Sequence, residues 1–362
     1  MQAQAVIHIA ITELFLSAEL KENPHLRGCS LIIGTGAPGV KKGDVIAASP
    51  EAKALGVRPG LSLRKAIKAA PEAHICAVRY EASETLSQGF FAILARNFHE
   101  VESYGLDEAF MASTLRGSAP EAVREGFASA EKLARAMQEA IRAELGLRTT
   151  IGIGPNKFIA RLAGLGAGKD GIVVVSRNEA AAFIKTFSLK NLPGVDRAVE
   201  KGLKDLGIGT VAEISETPLL FLKKNFGKST GAVLYESSRA MGSEAIVPFH
   251  EAGGISREVT FHGGLTGVSI IRETLYMLAG GLSARLKAEA RSASRLEMKV
   301  TSPGFACSLS TLELAGETDS FNTIWAGVLE LLDRTSLPEK VILLGLKFSG
   351  LSKKDRQEGP PA

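Results

Sequence analysis

Aromatic residues are scarce, at 6% of the chain with a single tryptophan, and cysteine is scarcer still. Cys29, Cys76 and Cys307 are odd in number, far apart and without CxxC spacing. That excludes a disulfide framework and a cysteine-built zinc site, and sets a reducing cytoplasm as the expected compartment. No apolar run reaches the ~18 residues of a membrane span, and no basic leader with a cleavage site opens the chain, so no membrane partner is expected. A strong charge of one sign is missing too. The 43 basic and 39 acidic residues leave a net charge of +4, only a weak pointer to nucleic acid. What is present is bulk: 362 residues, 45% of them hydrophobic, suffice for two or three packed domains.

One stretch concentrates chemistry: Ser103-Tyr104-Gly105-Leu106-Asp107-Glu108-Ala109-Phe110. Successive side chains alternate faces along a strand, so Asp107 and Glu108 share a site only at a strand end or turn. Two readings stay open for the residues by themselves. One is a solvated turn; the other is a divalent-cation site, because adjacent unpaired carboxylates repel and a bound cation is a common reason to keep both.

The flanking sequence alternates short apolar strands with helices. Ala5–Ala10 reads as a buried strand, and Glu13–Leu20 as a helix ended by Asn23-Pro24. Leu31–Ile33 reads as a strand, and the glycine-rich Gly34–Gly39 as a loop without the phosphate-cradle pattern. Asp44–Lys53 reads as a strand breaking into a helix, with Ser49 as N-cap and Pro50 at the first helical position. Ser62 is expected to cap a short basic helix, Leu63–Ala70. Pro120–Leu145 has the period of a long amphipathic helix. Thr149–Gly154 is a strand, Asn156-Lys157 precedes a helix from Phe158 to Leu165, and Gly171–Val175 is a further strand. Around Leu192-Pro193-Gly194-Val195 the pattern is a helix-hairpin-helix or an ordinary helical hairpin; the former can bind phosphate through backbone N–H groups without reading bases. From Ile255 onward the order is β-α-β-β-α-β, a split βαβ sheet with two helices on one face.

Four blocks carry a family resemblance: His8-Ile-Ala-Ile-Thr12 into Leu14-Phe15; Glu51-Ala-Lys53-x-x-Gly56-Val57-Arg58-x-Gly60; Gly105-Leu-Asp107-Glu108-Ala-Phe110; and Gly152-Ile153-x-Pro155-Asn156-Lys157-x-x-Ala160. In that order and spacing the chain resembles the Y-family translesion DNA polymerases, of the polymerase IV type. The resemblance implies a multidomain α+β, right-hand architecture. Residues 1–13 and 79–175 would form the palm, 14–78 small fingers, 176–246 a helix-hairpin-helix thumb, 247–254 a linker, 255–351 a little finger and 352–362 a disordered tail. It implies sequence-independent binding of primer–template or damaged duplex DNA by a monomer, in a cytoplasmic or, if bacterial, nucleoid-associated protein. Other repair or replication proteins are implied as further partners. Gly194, Lys201 and Lys204 in the thumb, with Arg257, Arg295 and Lys299 in the little finger, become candidate DNA contacts. Lys223, Lys224, Lys228, Arg272 and Lys347 are further candidates. Twelve basic and ten acidic residues between Ile255 and Lys354 imply a modest, salt-sensitive grip.

Against that family's chemistry the chain departs in two places. Two-metal polymerisation holds cations about 3.5–4 Å apart, one polarising the primer hydroxyl and one the triphosphate. The resemblance assigns the bridging aspartate to position 10 and a second ligand to position 12, where this chain has Ala10 and Thr12; Asp107 and Glu108 are the retained ligands. Glu13 is a substitute ligand only if the backbone there is distorted. The triphosphate-binding tyrosine and arginine are replaced by Pro50 and Lys53, and a further cation position falls on Gly168, beside Lys169. Phe15 matches the aromatic that screens against ribonucleotides. The expectation is a DNA-binding homologue in translesion synthesis or repair, with polymerase activity lost or strongly reduced and Mg²⁺ bound weakly or not at all. The alternative is an active, low-fidelity translesion polymerase using Asp107 and Glu108 with a substitute ligand.

Overall fold

The computed structural model describes residues 4–35, 43–114, 120–248 and 254–353. Its strands are β1 (Gln4–Ile11), β2 (Leu31–Gly34), β3 (Val45–Ala48), β4 (His74–Ala77), β5 (Val101–Tyr104), β6 (Glu108–Thr114), β7 (Thr149–Gly154), β8 (Ile172–Val174), β9 (Ile255–Leu265), β10 (Arg291–Thr301), β11 (Cys307–Thr318) and β12 (Val341–Lys353). The chain divides into two compact units, one of Met1–Ile9, Asn97–Arg135 and Thr150–Ala362, the other of Ala10–Arg96 and Ala136–Thr149.

The larger unit is built on a five-stranded sheet of order β5-β6-β1-β7-β8. β1 is central, and Ala5, Val6, Ile7 and Ile9 are all buried. That burial on both faces explains why its sequence is a continuous apolar run rather than an alternating one. The helix Lys157–Gly166 lies directly on β7. A Cβ at Gly152 would fall 1.9 Å from the Ala160 carbonyl oxygen, so Gly-Ile-Gly in β7 is what lets helix and strand approach this closely. Asn156 caps that helix, its side chain accepting the Ile159 N–H at 2.9 Å.

Helices Ala180–Ile184, Arg197–Asp205, Val211–Glu216, Leu219–Phe226 and Lys228–Ser237 follow. Their buried Leu203, Leu222 and Leu234 share one core with Phe110 and Phe158 of the sheet region, and with Phe305. Before Pro193-Gly194 the chain forms only a single 3-10 turn, Leu189–Asn191, so the Pro-Gly turn is flanked by that turn and the helix Arg197–Asp205.

The C-terminal sheet has order β11-β10-β12-β9, with every described neighbouring pair antiparallel. Helices Val268–Ala288 and Phe321–Arg334 pack on one face, against Leu296, Met298, Val300, Leu344, Leu346 and Phe348. The order of elements is the β-α-β-β-α-β read from the sequence.

The smaller unit contains a three-stranded sheet, β3-β2-β4, with β2 antiparallel to β3 and parallel to β4. Ser49 caps the helix Pro50–Ala54 as expected, accepting the Ala52 N–H. Ser62 precedes the helix Leu63–Ala69 but makes no side-chain cap bond. Its backbone bridges to Asp44 instead. β4 and the helix Tyr80–Ala95 escape the sequence reading: the strand is only four residues long and paired in parallel, and Ser87 and Gly89 break up the apolar pattern of a helix that is itself continuous. Most of the expected Gly34–Gly39 loop, residues 249–253 of the expected linker, and the tail beyond Lys353 lie outside the described residues, while Ser352 and Lys353 still belong to β12. No helix among the described residues is long and apolar enough to cross a membrane.

Candidate active site

β5 and β6 form an antiparallel hairpin in which Tyr104 pairs with Glu108. The connecting turn needs a left-handed residue, and Gly105 supplies it with φ of 79°. Asp107 therefore sits on the turn and Glu108 opens β6, the strand-end placement that lets adjacent carboxylates share a site.

What meets Glu108 is protein. His8, on neighbouring β1, places Nε2 2.9 Å from Glu108 Oε2. Arg161, from the helix Lys157–Gly166, donates from Nε at 2.8 Å to Oε2 and from Nη2 at 3.1 Å to Oε1. This two-point fork is the geometry in which guanidinium and carboxylate pair best. The guanidinium also lies over the rings of Tyr104 (5.3 Å) and Phe305 (5.7 Å).

The titration states follow from these contacts. Burial pushes the Glu108 carboxyl up, but Arg161 and then His8 outweigh it and hold the group well below the usual carboxylate range. His8 is lowered because burial outweighs its bond to Glu108. A neutral imidazole whose Nε2–H donates to Glu108 leaves Nδ1 as a bare acceptor, and Nδ1 is buried without a hydrogen-bond partner among the described residues. Asp107 behaves oppositely: burial first, then the Glu108 charge, push it up to about 7. The Tyr104 hydroxyl is pushed up to about 12, chiefly by burial.

The donor set does not fit a pair of catalytic metal ions. Position 10 is alanine, near the end of β1, and contributes no side-chain oxygen. Thr12 uses its N–H to bond the Arg148 carbonyl, and its hydroxyl is buried without a partner among the described residues. Both oxygens of Glu108 are taken by in-chain donors, and Asp107 is raised toward its neutral form. Among the described residues no group of three His, Cys, Asp or Glu is placed to hold a metal ion.

In the smaller unit, Glu13 does adopt a distorted backbone, left-handed with φ of 64°. Its carboxylate nevertheless bonds Lys53 Nζ. The expected substitute metal ligand and the expected triphosphate cation are thus paired with each other. Pro50 is exposed at the first turn of its helix, and Phe15 is half-buried against Leu16, Leu31, Ile33 and Ala47. Lys169, in the larger unit, is exposed and forms no ion pair among the described residues.

The expected DNA contacts have divergent fates. Lys201 is exposed. Lys204 is exposed and paired with Glu200 at 2.7 Å, and Arg295 with Glu313 at 2.5 Å. Gly194 is left-handed, φ 78°, but the N–H groups of Ala198 and Val199 just beyond it are accepted by Asp196, and that of Val195 by the Leu192 carbonyl. Arg257 lies over Gly281, on the helix-covered side of its sheet. Lys299 is not the solvent-facing contact the sequence suggested: here it is fully buried, held by the Ser103 carbonyl and Glu258. Lys347 is likewise buried.

His8 and Arg161 are the site residues that sequence reasoning passed over. The signal that could have found Arg161 is its spacing from Lys157. Residues i and i+4 share one helix face, and these two cations meet Glu102 and Glu108, on the two strands of the hairpin.

Comparison with known proteins matches the impB/mucB/samB family profile over residues 9–164, its C-terminal domain over residues 253–359, and the thumb-domain profile of DNA polymerase iota over residues 190–241. DNA polymerase IV of Desulfatibacillum aliphaticivorans is 29% identical over 97% of this chain and 86% of its own length. DNA polymerase IV of Shewanella amazonensis is 30% identical over 87% of this chain and 86% of its own. Among solved structures, the insertion ternary complex of Dbh DNA polymerase superposes with a TM-score of 0.64 at 21% identity, covering 97% of this chain and 100% of that one. DinB from Sulfolobus solfataricus does so with a TM-score of 0.63 at 22% identity, covering 95% and 98%. With the thumb, the C-terminal β-α-β-β-α-β sheet and the carboxylate hairpin in place, the chain belongs to the Y family of DNA polymerases.

Proposed function

We propose that this protein binds DNA in translesion synthesis or repair while its nucleotidyl-transfer activity is lost or strongly reduced. The observation that carries this reading is Glu108: in a working site its charge would face cations, and here Arg161 and His8 consume it. Ala10 removes the bridging carboxylate, Pro50 removes a phosphate donor, and Glu13 neutralises Lys53. Metal and phosphate sites are altered together, which one isolated substitution would not do. Any Mg²⁺ held by Asp107 and Glu108 would first have to displace Arg161, so binding is weak or absent. DNA contact would rest on backbone charge from groups such as Lys201, Lys204 and Arg295, without base readout. Action as a monomer beside other repair or replication proteins completes this reading. The relatives named DNA polymerase IV and the ternary-complex neighbours support its DNA-binding part.

A second reading has its own observation, the retention of Asp107, Glu108 and Phe15. It is an active low-fidelity polymerase with a substitute ligand. The two separate in primer extension on an undamaged template, with Mg²⁺ and then Mn²⁺, beside an Asp107→Ala, Glu108→Ala double variant and a mobility shift on the same samples. No extension, with DNA retained equally by both proteins, is the expected result. Extension that vanishes in the double variant would establish the second reading instead.

A further inference from the structure

On the open face of the C-terminal sheet, opposite its two helices, Lys299 and Glu258 meet the β5–β6 hairpin, while Arg295, Thr311 and Glu313 on the same face stay exposed. Lys299 on β10 and Glu258 on β9 flank Gly345 of β12 in register, and a glycine between them lets their side chains meet at 3.0 Å. The pair then reaches out of the sheet. Glu258 accepts the Gly105 N–H at 2.9 Å, and Lys299 donates to the Ser103 carbonyl. The seat is therefore the turn that carries Asp107.

Two further fastenings flank it. At the β10–β11 tip, Phe305 is 5% exposed and left-handed, φ 64°, with its ring 5.4 Å from Tyr104 and 5.8 Å from Phe110. A bulky residue stays in that conformation only where its surroundings over-determine it. Lys157, buried on Glu102 at 2.5 Å, also donates to the Phe305 carbonyl at 3.5 Å, and Glu102 accepts the Val247 N–H at 2.7 Å. On the thumb side Lys340 meets Asp196 at 3.1 Å.

We propose that this docking is an autoinhibitory latch: the carboxylate hairpin serves as a seat for the C-terminal sheet, and DNA must displace it to reach the Lys299–Glu258 end of that sheet's open face. The polar part of the contact suits reversible closure. Buried ion pairs fix register while adding little net stability, because desolvation opposes their attraction. Released from Ser103, Lys299 would pair with a phosphate instead. The competitor is thus a polyanionic backbone.

The exchange arm of the test stands apart from the DNA-binding reading; the affinity arm rests on it. Hydrogen exchange is followed at the Gly105 amide and at the β10–β12 ladder in the intact chain. In the wild type Gly105 is expected to be protected. Glu258→Lys, which sets two cations in the seat, is expected to accelerate Gly105 at least tenfold while the ladder stays protected, showing that the sheet still folds. Glu258→Gln, which keeps an acceptor, should accelerate it less. Unchanged Gly105 exchange in Glu258→Lys, or an unprotected Gly105 in the wild type, overturns the latch.

Affinity for a primer–template duplex is then compared between Glu258→Lys and Glu273→Lys, an equal charge change on an exposed helix position of the same domain. The latch predicts at least fivefold tighter binding by Glu258→Lys, and faster Gly105 exchange when duplex is added to the wild type. Equal affinities, or duplex bound with Gly105 still protected, overturn it. Failure of every protein to bind duplex overturns the DNA-binding reading and the autoinhibitory role together; docking itself is then decided by exchange alone.

Discussion

Asp107 and Glu108 are adjacent in sequence and opposite in state: one carboxyl is raised by burial and its neighbour's charge, the other depressed by Arg161. Each has a pH signature. Asp107 titrates at about 7 in the folded protein, above the range of a free carboxylate, so the folded form holds the extra proton between those values. Its full stability is present below the unfolded value and lost as pH rises through about 7. Asp107→Asn is therefore expected to stabilise the protein by about 1–2 kcal/mol at pH 8, after allowance for its partial exposure, and by nothing near pH 4. Thermal melts at the two pH values check this. Glu108 has the reverse sign, contributing above the unfolded carboxylate value and losing that contribution in acid. Arg161→Met is expected to cost about 2–3 kcal/mol at neutral pH, by leaving a part-buried carboxylate with His8 but without its charged partner. The deficit should shrink as pH falls below about 4, measured by urea unfolding. In the smaller unit Glu13→Ala would free Lys53. Combined with Ala10→Asp it is expected to give Mg²⁺-dependent deoxynucleotide binding that Ala10→Asp alone does not, read by calorimetry.

Among the elements, the helix Lys157–Gly166 is held by a local sequence device. Gly152 has no Cβ, and Ala160 and Gly164 sit where the helix touches β7. Gly152→Ala would force backbone against backbone, and a destabilisation of about 3 kcal/mol or more is expected in denaturant melts. A shift of that helix would also loosen the Arg161–Glu108 fork. Ser49 is a second device. Its hydroxyl accepts from the Leu31 and Ala52 N–H groups and donates to the Cys29 carbonyl. Ser49→Ala should cost about 2 kcal/mol, above an exposed cap, because the bonded groups are largely buried. Both devices were legible: glycine alternation in a strand and Ser-Pro before a helix are short-range signals. Ser62 looked the same and was not a cap, because the bridge to Asp44 set its backbone course instead.

On the scale of the molecule, the chain's own numbering hides its main contacts. Lys299 and Ser103 are 196 positions apart, and Lys157 and Phe305 are 148 apart. Hydrophobic period and capping residues dictated most of the elements, their order and the C-terminal β-α-β-β-α-β arrangement, because those signals act within a turn or a strand; β4 and the helix Tyr80–Ala95 they did not. Residue identity alone also settled the loss of a carboxylate at Ala10 and of a donor at Pro50: no folding can give alanine an oxygen or proline an N–H. Only tertiary structure decided that Arg161 and His8 would consume Glu108, that Glu13 would neutralise Lys53, and that Lys299, one lysine among many in sequence, would be buried on a backbone carbonyl. A charge's role depends on the partners and solvent around it, and the fold assembles those from distant parts of the chain.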